Sequence, residues 1–273
     1  MRSPGAAWRK WRTVLGLFFQ DGLVYKANAF IWILTDLVTA VVMSLIWLAS
    51  YNGRTQIHGF APGDMVVYYL LVLALTGFIE SHIMWDMSND VKQGKFNVYL
   101  LRPYSFLAYM YAANLGWRLM RTLLSIPLFA LVALAFRHYL PVWGSGHYHV
   151  GPLFWLAVLL GHGVSFTLTY AMGLLSLWLY EARAAYNFYY LPLLICSGQI
   201  APLVLLPLGL QRIIQWLPFP YTLAFPAGLF LGKVSGDEVY RGLAAQVLWL
   251  GLSLLIAFGL WHGGLRRYTA FGV

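Results

Sequence analysis

The chain has 273 residues, of which 60% are hydrophobic and only 10% charged, with a mean hydropathy of +0.68 and a net charge of +9. A soluble domain carries about 25% charged residues, so this composition excludes one and points to a protein integral to a membrane. The positive charge raises a nucleic-acid role, but the placement of the cations assigns them to membrane topology instead.

At the N-terminus, Arg2, Arg9, Lys10 and Arg12 precede a short apolar stretch at 14–19 that runs into Gln20 and Asp21, so no cleaved signal peptide is expected. Residues 8–23 set Trp8, Trp11, Leu15 and Phe18 at three-and-four spacing with Arg9, Lys10 and Arg12 off that stripe, the pattern of an interfacial amphipathic helix. A span needs about 20 mainly apolar residues, and six stretches qualify: 27–50, 65–85, 112–136, 153–180, 186–206 and 243–261. They are read as helices, because barrel strands would alternate over about ten residues rather than run unbroken. The lone thiol, Cys196, lies in an apolar run without an intrachain partner, so there is no disulfide framework.

Between the second and third spans, 88–104 is charged, interrupted by Gly94 and broken by Pro103. A polar, helix-sized connection of this kind is a docking surface for a soluble partner. Between the fifth and sixth, 208–232 is apolar yet rich in proline and glycine, including Pro218, Pro220, Pro226, Gly228 and Gly232. Two short helices re-entering the membrane, 208–217 and about 223–231, account for a loop that is not polar.

The basic residues divide unevenly over a six-span bundle with both termini on one face. Thirteen of the 18 fall on the terminal side, among them Lys92, Lys95, Arg102, Arg118, Arg121 and Arg183; Arg54, Arg137, Arg212, Lys233 and Arg241 fall on the other. By the positive-inside rule both termini are cytoplasmic and no nucleic-acid partner is implied. Intramembrane ionisable groups are costly and mark cavities or partners. The candidates are Asp36 in span one, Glu80, His82 and Asp86 toward the inner end of span two, and Arg118 and Arg121, which could pair with these acids. His162, Ser165, Thr167 and Thr169 give span four a polar face that interhelical hydrogen bonds explain.

Three features complete a resemblance. Gly94 followed by a short helix and Leu100-Leu101-Arg102-Pro103, the Leu217-Pro218-Phe219-Pro220-Tyr221 run with Pro226 and Gly232-Lys233, and the closing Gly264-Leu265-Arg266-Arg267-Tyr268 resemble the permease subunit of bacterial type-2 ATP-binding-cassette transporters, of the exporter-type branch with stand-alone membrane subunits. The resemblance implies an all-α membrane domain over the whole chain, two permeases, identical or homologous, forming the pathway, and two cytoplasmic ATPases docked on a coupling helix. It implies a bacterial inner-membrane location, export rather than import, and ATP and magnesium bound by the partners rather than by this chain. In the coupling segment, Lys92, Lys95 and Arg102 would keep the helix at the surface, Gly94 would allow a bend and Pro103 would end it. Phe96, Tyr99 and Leu100 would be knobs entering a partner groove.

Gly228 to Lys233 has the wrong spacing for a phosphate loop and lacks the following Ser or Thr. The cluster of His138, His147, Tyr148 and His149 lacks a carboxylate or thiol to complete a metal site, so neither metal nor catalytic residues are expected. A secondary transporter, an intramembrane enzyme and a membrane anchor remain alternatives; against the first, no internal repeat relates the two halves. The aromatic and methionine-rich interior suggests an amphipathic or lipid-like substrate.

Overall fold

A computed structural model describes residues 4–24, 26–140, 148–179 and 182–268. Arg2, His147 and Tyr180, used above for charge placement, the histidine cluster and a span boundary, lie outside the described residues. Among the described residues the fold is helical without strands. Five helices among the described residues are long and apolar enough to cross a membrane: Lys26–Tyr51, Pro62–Lys92 counted as one, Phe106–Ala135, Pro152–Leu177 and Asp237–Arg267.

The first helix, α1 (Pro4–Val24), is not one of these; it lies along α6 (Phe106–Ala135), where Gly116 admits Phe18 so closely that a Cβ would stand 2.8 Å from the Phe18 Cβ. Such small-residue notches let helices approach where apolar surface gives no drive for association within lipid. Trp8, by contrast, stays exposed.

Helix α2 (Lys26–Tyr51) is mostly exposed, while α3 (Pro62–Ile79) is apolar on every side and forms the centre of the bundle. For the span containing α3, 83% of the most apolar stretch is buried, against 17% in α11 (Asp237–Arg267). A helix hydrophobic all round belongs in the interior. Helix α7 (Pro152–Leu174) is the second central element, packed on α3, α11 and α4 (Ile83–Lys92).

Two expected spans look different in the structure. Span two does not end near residue 85: the helix breaks at Glu80-Ser81-His82 and resumes as α4, so these residues lie inside a longer crossing rather than at its end. The expected fifth span is α8 (Arg183–Cys196), 14 residues or about 21 Å. That is short of a hydrocarbon core of about 30 Å. The chain then turns at Gly198, where φ is +88°, and makes a 3-10 turn at Leu203–Leu205. The Tyr68 and Tyr69 hydroxyls of α3 donate to the Gly198 and Ile200 carbonyls, so the irregular backbone is satisfied by protein. Arg183 donates to Asn89 at the end of α4, so this segment runs alongside α4 and α3 between that bond and the turn at Gly198.

The next segment dips back into the bundle. Helices α9 (Leu208–Ile214) and α10 (Ala224–Phe230) flank a connection containing Pro218 and Pro220, both buried, and Tyr221, whose hydroxyl donates to Gln215 O at 2.8 Å. Pro226 is buried in α10. Thr222 O sits where a Cβ on Gly161 would be, at 2.7 Å, and buried Gln246 donates to both Ala157 O and Tyr221 O at 2.8 Å. Gly161 and Gln246 each lie nine residues into their helices, so the hairpin penetrates about 14 Å. Lys233 closes it on Gly59 O (2.7 Å) and Asp64 (3.2 Å), a structural use of the lysine that resembled a phosphate-loop residue.

Candidate functional site

Two interruptions of the helical order gather the polar chemistry. One is the connection from α4 to α6 at the end of the bundle where both α1 and α11 also terminate. Lys10 of α1 lies 5.2 Å from the Tyr104 ring there, and Tyr268 beyond α11 packs its ring 5.1 Å from that of Phe96. Gly94 makes the turn with φ of +70°, a conformation costly for any residue with a Cβ. It feeds α5 (Phe96–Leu100), and Ser105 caps α6 after the exposed Pro103.

The short helix has an anchoring side and an open side. Phe96 is 1% exposed, enclosed by the rings of Phe106, Trp261 and Tyr268. Tyr99 packs on Phe106 and Tyr109 and donates to Asp90 at 3.0 Å; burial and the Asp90 charge push its phenol up from the ordinary value. These two side chains therefore hold the helix to the bundle; the expectation that Phe96 is a knob for a partner is corrected, while Tyr99 is half-buried. Helical geometry sends their neighbours outward: Lys95, Val98, Leu101 and Arg102 lie on the open side with Leu100, and Leu101 is 87% exposed. Lys92 is half-buried at the end of α4. Val98 and Leu101 were not singled out from sequence; a helical projection of 95–102 marks them, since Phe96 and Tyr99 share the opposite face.

Arg102 donates to Tyr104 Oη at 2.6 Å and stands over the rings of Tyr99, Tyr104 and Tyr109 at 5.6, 5.9 and 5.8 Å. Cation–π contact with three rings fixes a guanidinium that would otherwise sweep freely.

The second interruption is the break between α3 and α4. Its freed backbone groups are met by neighbouring helices: Ser81 N donates to Ser165 Oγ (3.0 Å), Ser81 Oγ to Asn114 Oδ1 (2.9 Å), and His162 Nδ1 lies 2.9 Å from Phe78 O. The polar face of α7 is thus the support of a broken helix. Around the break the intramembrane ions assemble. Arg121 is paired with Asp36 of α2, Glu80 accepts from Gln199, and Arg118, 1% exposed, lies 2.7 Å from His82 Nδ1. A guanidinium can only donate, so this nitrogen of His82 is the acceptor. Asp86 is exposed one turn into α4. Two acids and two guanidiniums tie α2, the break, α6 and the turn after α8 into one layer. The sequence reading missed Gln199, Asn114 and Ser81, of which Asn114 is a lone polar residue inside an apolar run.

Arg118 and Arg121 sit twelve and fifteen residues into α6, hence at membrane depth rather than on the terminal face where their charge was counted. Eleven basic residues remain on that side against five, and the asymmetry survives the correction.

Residues 37–272 match the family described as ABC-2 family transporter protein. No curated protein matches the chain. With a match spanning nearly every described helix, and an all-α bundle of apolar helices around it, the chain belongs to the ABC-2 transporter family as a multi-pass membrane permease subunit.

Proposed function

We propose that this chain is the membrane half of an ATP-driven exporter in the bacterial cytoplasmic membrane, with both termini inside, working as a pair of permeases on two separate ATPase subunits that bind the ATP and magnesium. The observation that carries this reading is the two-sided α5: a helix clamped by Phe96 and Tyr99 on one side presents Lys95, Val98, Leu101 and Arg102 on the other. A push on the open side is delivered through Phe96 to Phe106 at the start of α6 and to Trp261 near the end of α11. It reaches the centre through α4, which is separated from α3 by a non-helical hinge. Asp36, Glu80, His82, Arg118 and Arg121 form the ionic layer at that hinge, and alternation of the bundle would rearrange it.

Purification of the tagged chain from its native membrane in mild detergent tests the reading. A stoichiometric nucleotide-hydrolysing subunit is expected, and substrate movement only with ATP. Recovery of the chain alone, or solute accumulation by the isolated chain in vesicles, would overturn it. In a Cys196→Ala background, cysteines at positions 52 and 93 are expected to label from opposite faces.

A further inference from the structure

Helix α11 leans on α7, whereas α6 leans on α1, α3 and α2; the two meet where Phe106 stacks on Trp261, and a gap runs beside that contact. Its deeper part at the basic end is a cavity of about 730 Å³, walled by Leu107, Leu254, Phe258 and Trp261 and lipped by Arg102 and Tyr104 of the connecting segment. A second cavity of about 290 Å³ shares Leu107 and Leu254 and continues the gap toward Gly163 and Leu250. From His262 to Leu250 the groove follows α11 for about 18 Å. Leu255 and Phe258 at its edge are 70% and 65% exposed, so it opens sideways toward the surrounding hydrocarbon rather than toward the centre of the bundle.

The lip is cationic. Arg102 has no carboxylate partner among the described residues; it spends one N–H on Tyr104 Oη and is held over three tyrosine rings, which leaves most of its fork of donors for an anion. The Lys10 ammonium, 5.2 Å from the centre of the same Tyr104 ring, is a second cation beside this lip. An apolar slot of acyl-chain proportions, topped by two cations at the end of the bundle where chain termini collect, has the chemistry of a phospholipid of negative headgroup.

We propose that this groove holds one anionic phospholipid of the surrounding leaflet as a resident ligand, its phosphate on Arg102 beside Lys10 and an acyl chain laid between α6 and α11. The lipid fills the space between the connecting segment and α11. On the reading that this segment receives the ATPases, the lipid stiffens the path from α5 to α11.

Native mass spectrometry of the full chain in detergent, titrated with phosphatidylglycerol or phosphatidylcholine, tests the site without any ATPase. The wild type is expected to retain a single phosphatidylglycerol with about thirtyfold preference over phosphatidylcholine, the scale expected for two surface cations. Arg102→Gln is expected to reduce that preference severalfold. Gly251 lines the groove and a Cβ there meets nothing within 4 Å, so Gly251→Phe places a ring in the open slot and, with an unchanged thermal midpoint as the check on folding, is expected to lose both lipids. Equal retention of the two lipids by the wild type, or undiminished retention by Gly251→Phe, would overturn the proposal. In vesicles with the ATPase partners, retained phosphatidylglycerol is expected to be unchanged by ATP turnover; depletion on turnover would show that the lipid is cargo and not resident.

Discussion

The chain interrupts its helices twice in quick succession, at Glu80-Ser81-His82 and again at 93–105, and the two interruptions treat polar groups in opposite ways. At the first, the broken helix is met from within: Ser165, Asn114 and His162 bond its freed groups, Arg121 pairs with Asp36, and Arg118 and Glu80 meet the neutral side chains of His82 and Gln199. At the second, the aromatic residues turn inward and the cations and aliphatics turn out. An interruption closed on itself is a joint of the fold, whereas one that leaves a mixed basic and apolar face open is a surface awaiting something. That difference makes substitutions at the two places separable by what they change.

The largest loss of stability is expected at the inner interruption. Asp36→Ala leaves the Arg121 guanidinium buried without its counter-charge, and breaking one side of a buried pair costs about 3–5 kcal/mol. A fall in the thermal midpoint of the detergent-solubilised chain should show it, with recovery in the double variant Asp36→Leu/Arg121→Met, since replacing both partners removes the stranded charge. An unaltered midpoint in Asp36→Ala would mean that water or lipid headgroups reach Arg121 and that this layer is not sealed.

Phe96→Ala is expected to cost about 3–5 kcal/mol as well, but for a different reason: it empties the space enclosed by Phe106, Trp261 and Tyr268. This change sharpens the comparison, because it belongs to the outward-facing interruption and yet acts on the fold. If the midpoint instead stayed put while the ATPase failed to co-purify, Phe96 would be a partner contact after all.

How much of this could be read from the chain depends on whether a residue's environment is local. The long helices were legible because unbroken apolar runs such as those of α2, α6 and α11 have few alternatives in lipid. The dip of 208–232 was legible because proline and glycine within apolar sequence exclude both a straight span and a solvated loop. The break at 80–82 was not. Glu80, Ser81 and His82 look like the wet end of a helix, and only Asn114 of α6 with His162 and Ser165 of α7, far away in sequence, make a buried break affordable. Span five was drawn too long for the same reason, since tyrosines of α3 satisfy the turn at Gly198. In α5 Leu100 faces out as expected but Phe96 faces in: aromatic size marks a residue as a contact without saying with what.

Gly94→Ala is a smaller perturbation. Its φ of +70° is in the left-handed region, where a Cβ costs about 1–2 kcal/mol. Most of that strain falls on the turn, so a modest drop in midpoint is expected together with weaker retention of the ATPase, the angle of α5 having shifted. Wild-type retention would show that the entry angle of α5 does not matter to the partner.

The least effect on the fold is expected from Leu101→Glu, and it is the substitution that most cleanly separates the two interruptions. Leu101 is 87% exposed, so its removal opens no cavity, and surface changes of this kind stay within about 0.5 kcal/mol. The new carboxylate would stand beside Arg102 on the open side of α5, where a docked partner must exclude water from both. An uncompensated charge in such a contact weakens it by about 2 kcal/mol or more, which is upward of tenfold in retention of the ATPase. The expected result is a chain with an unchanged midpoint and monodisperse elution that no longer carries nucleotide hydrolysis through purification. Full retention by Leu101→Glu would remove the open side of α5 from the docking surface, whatever the behaviour of Phe96 and Gly94.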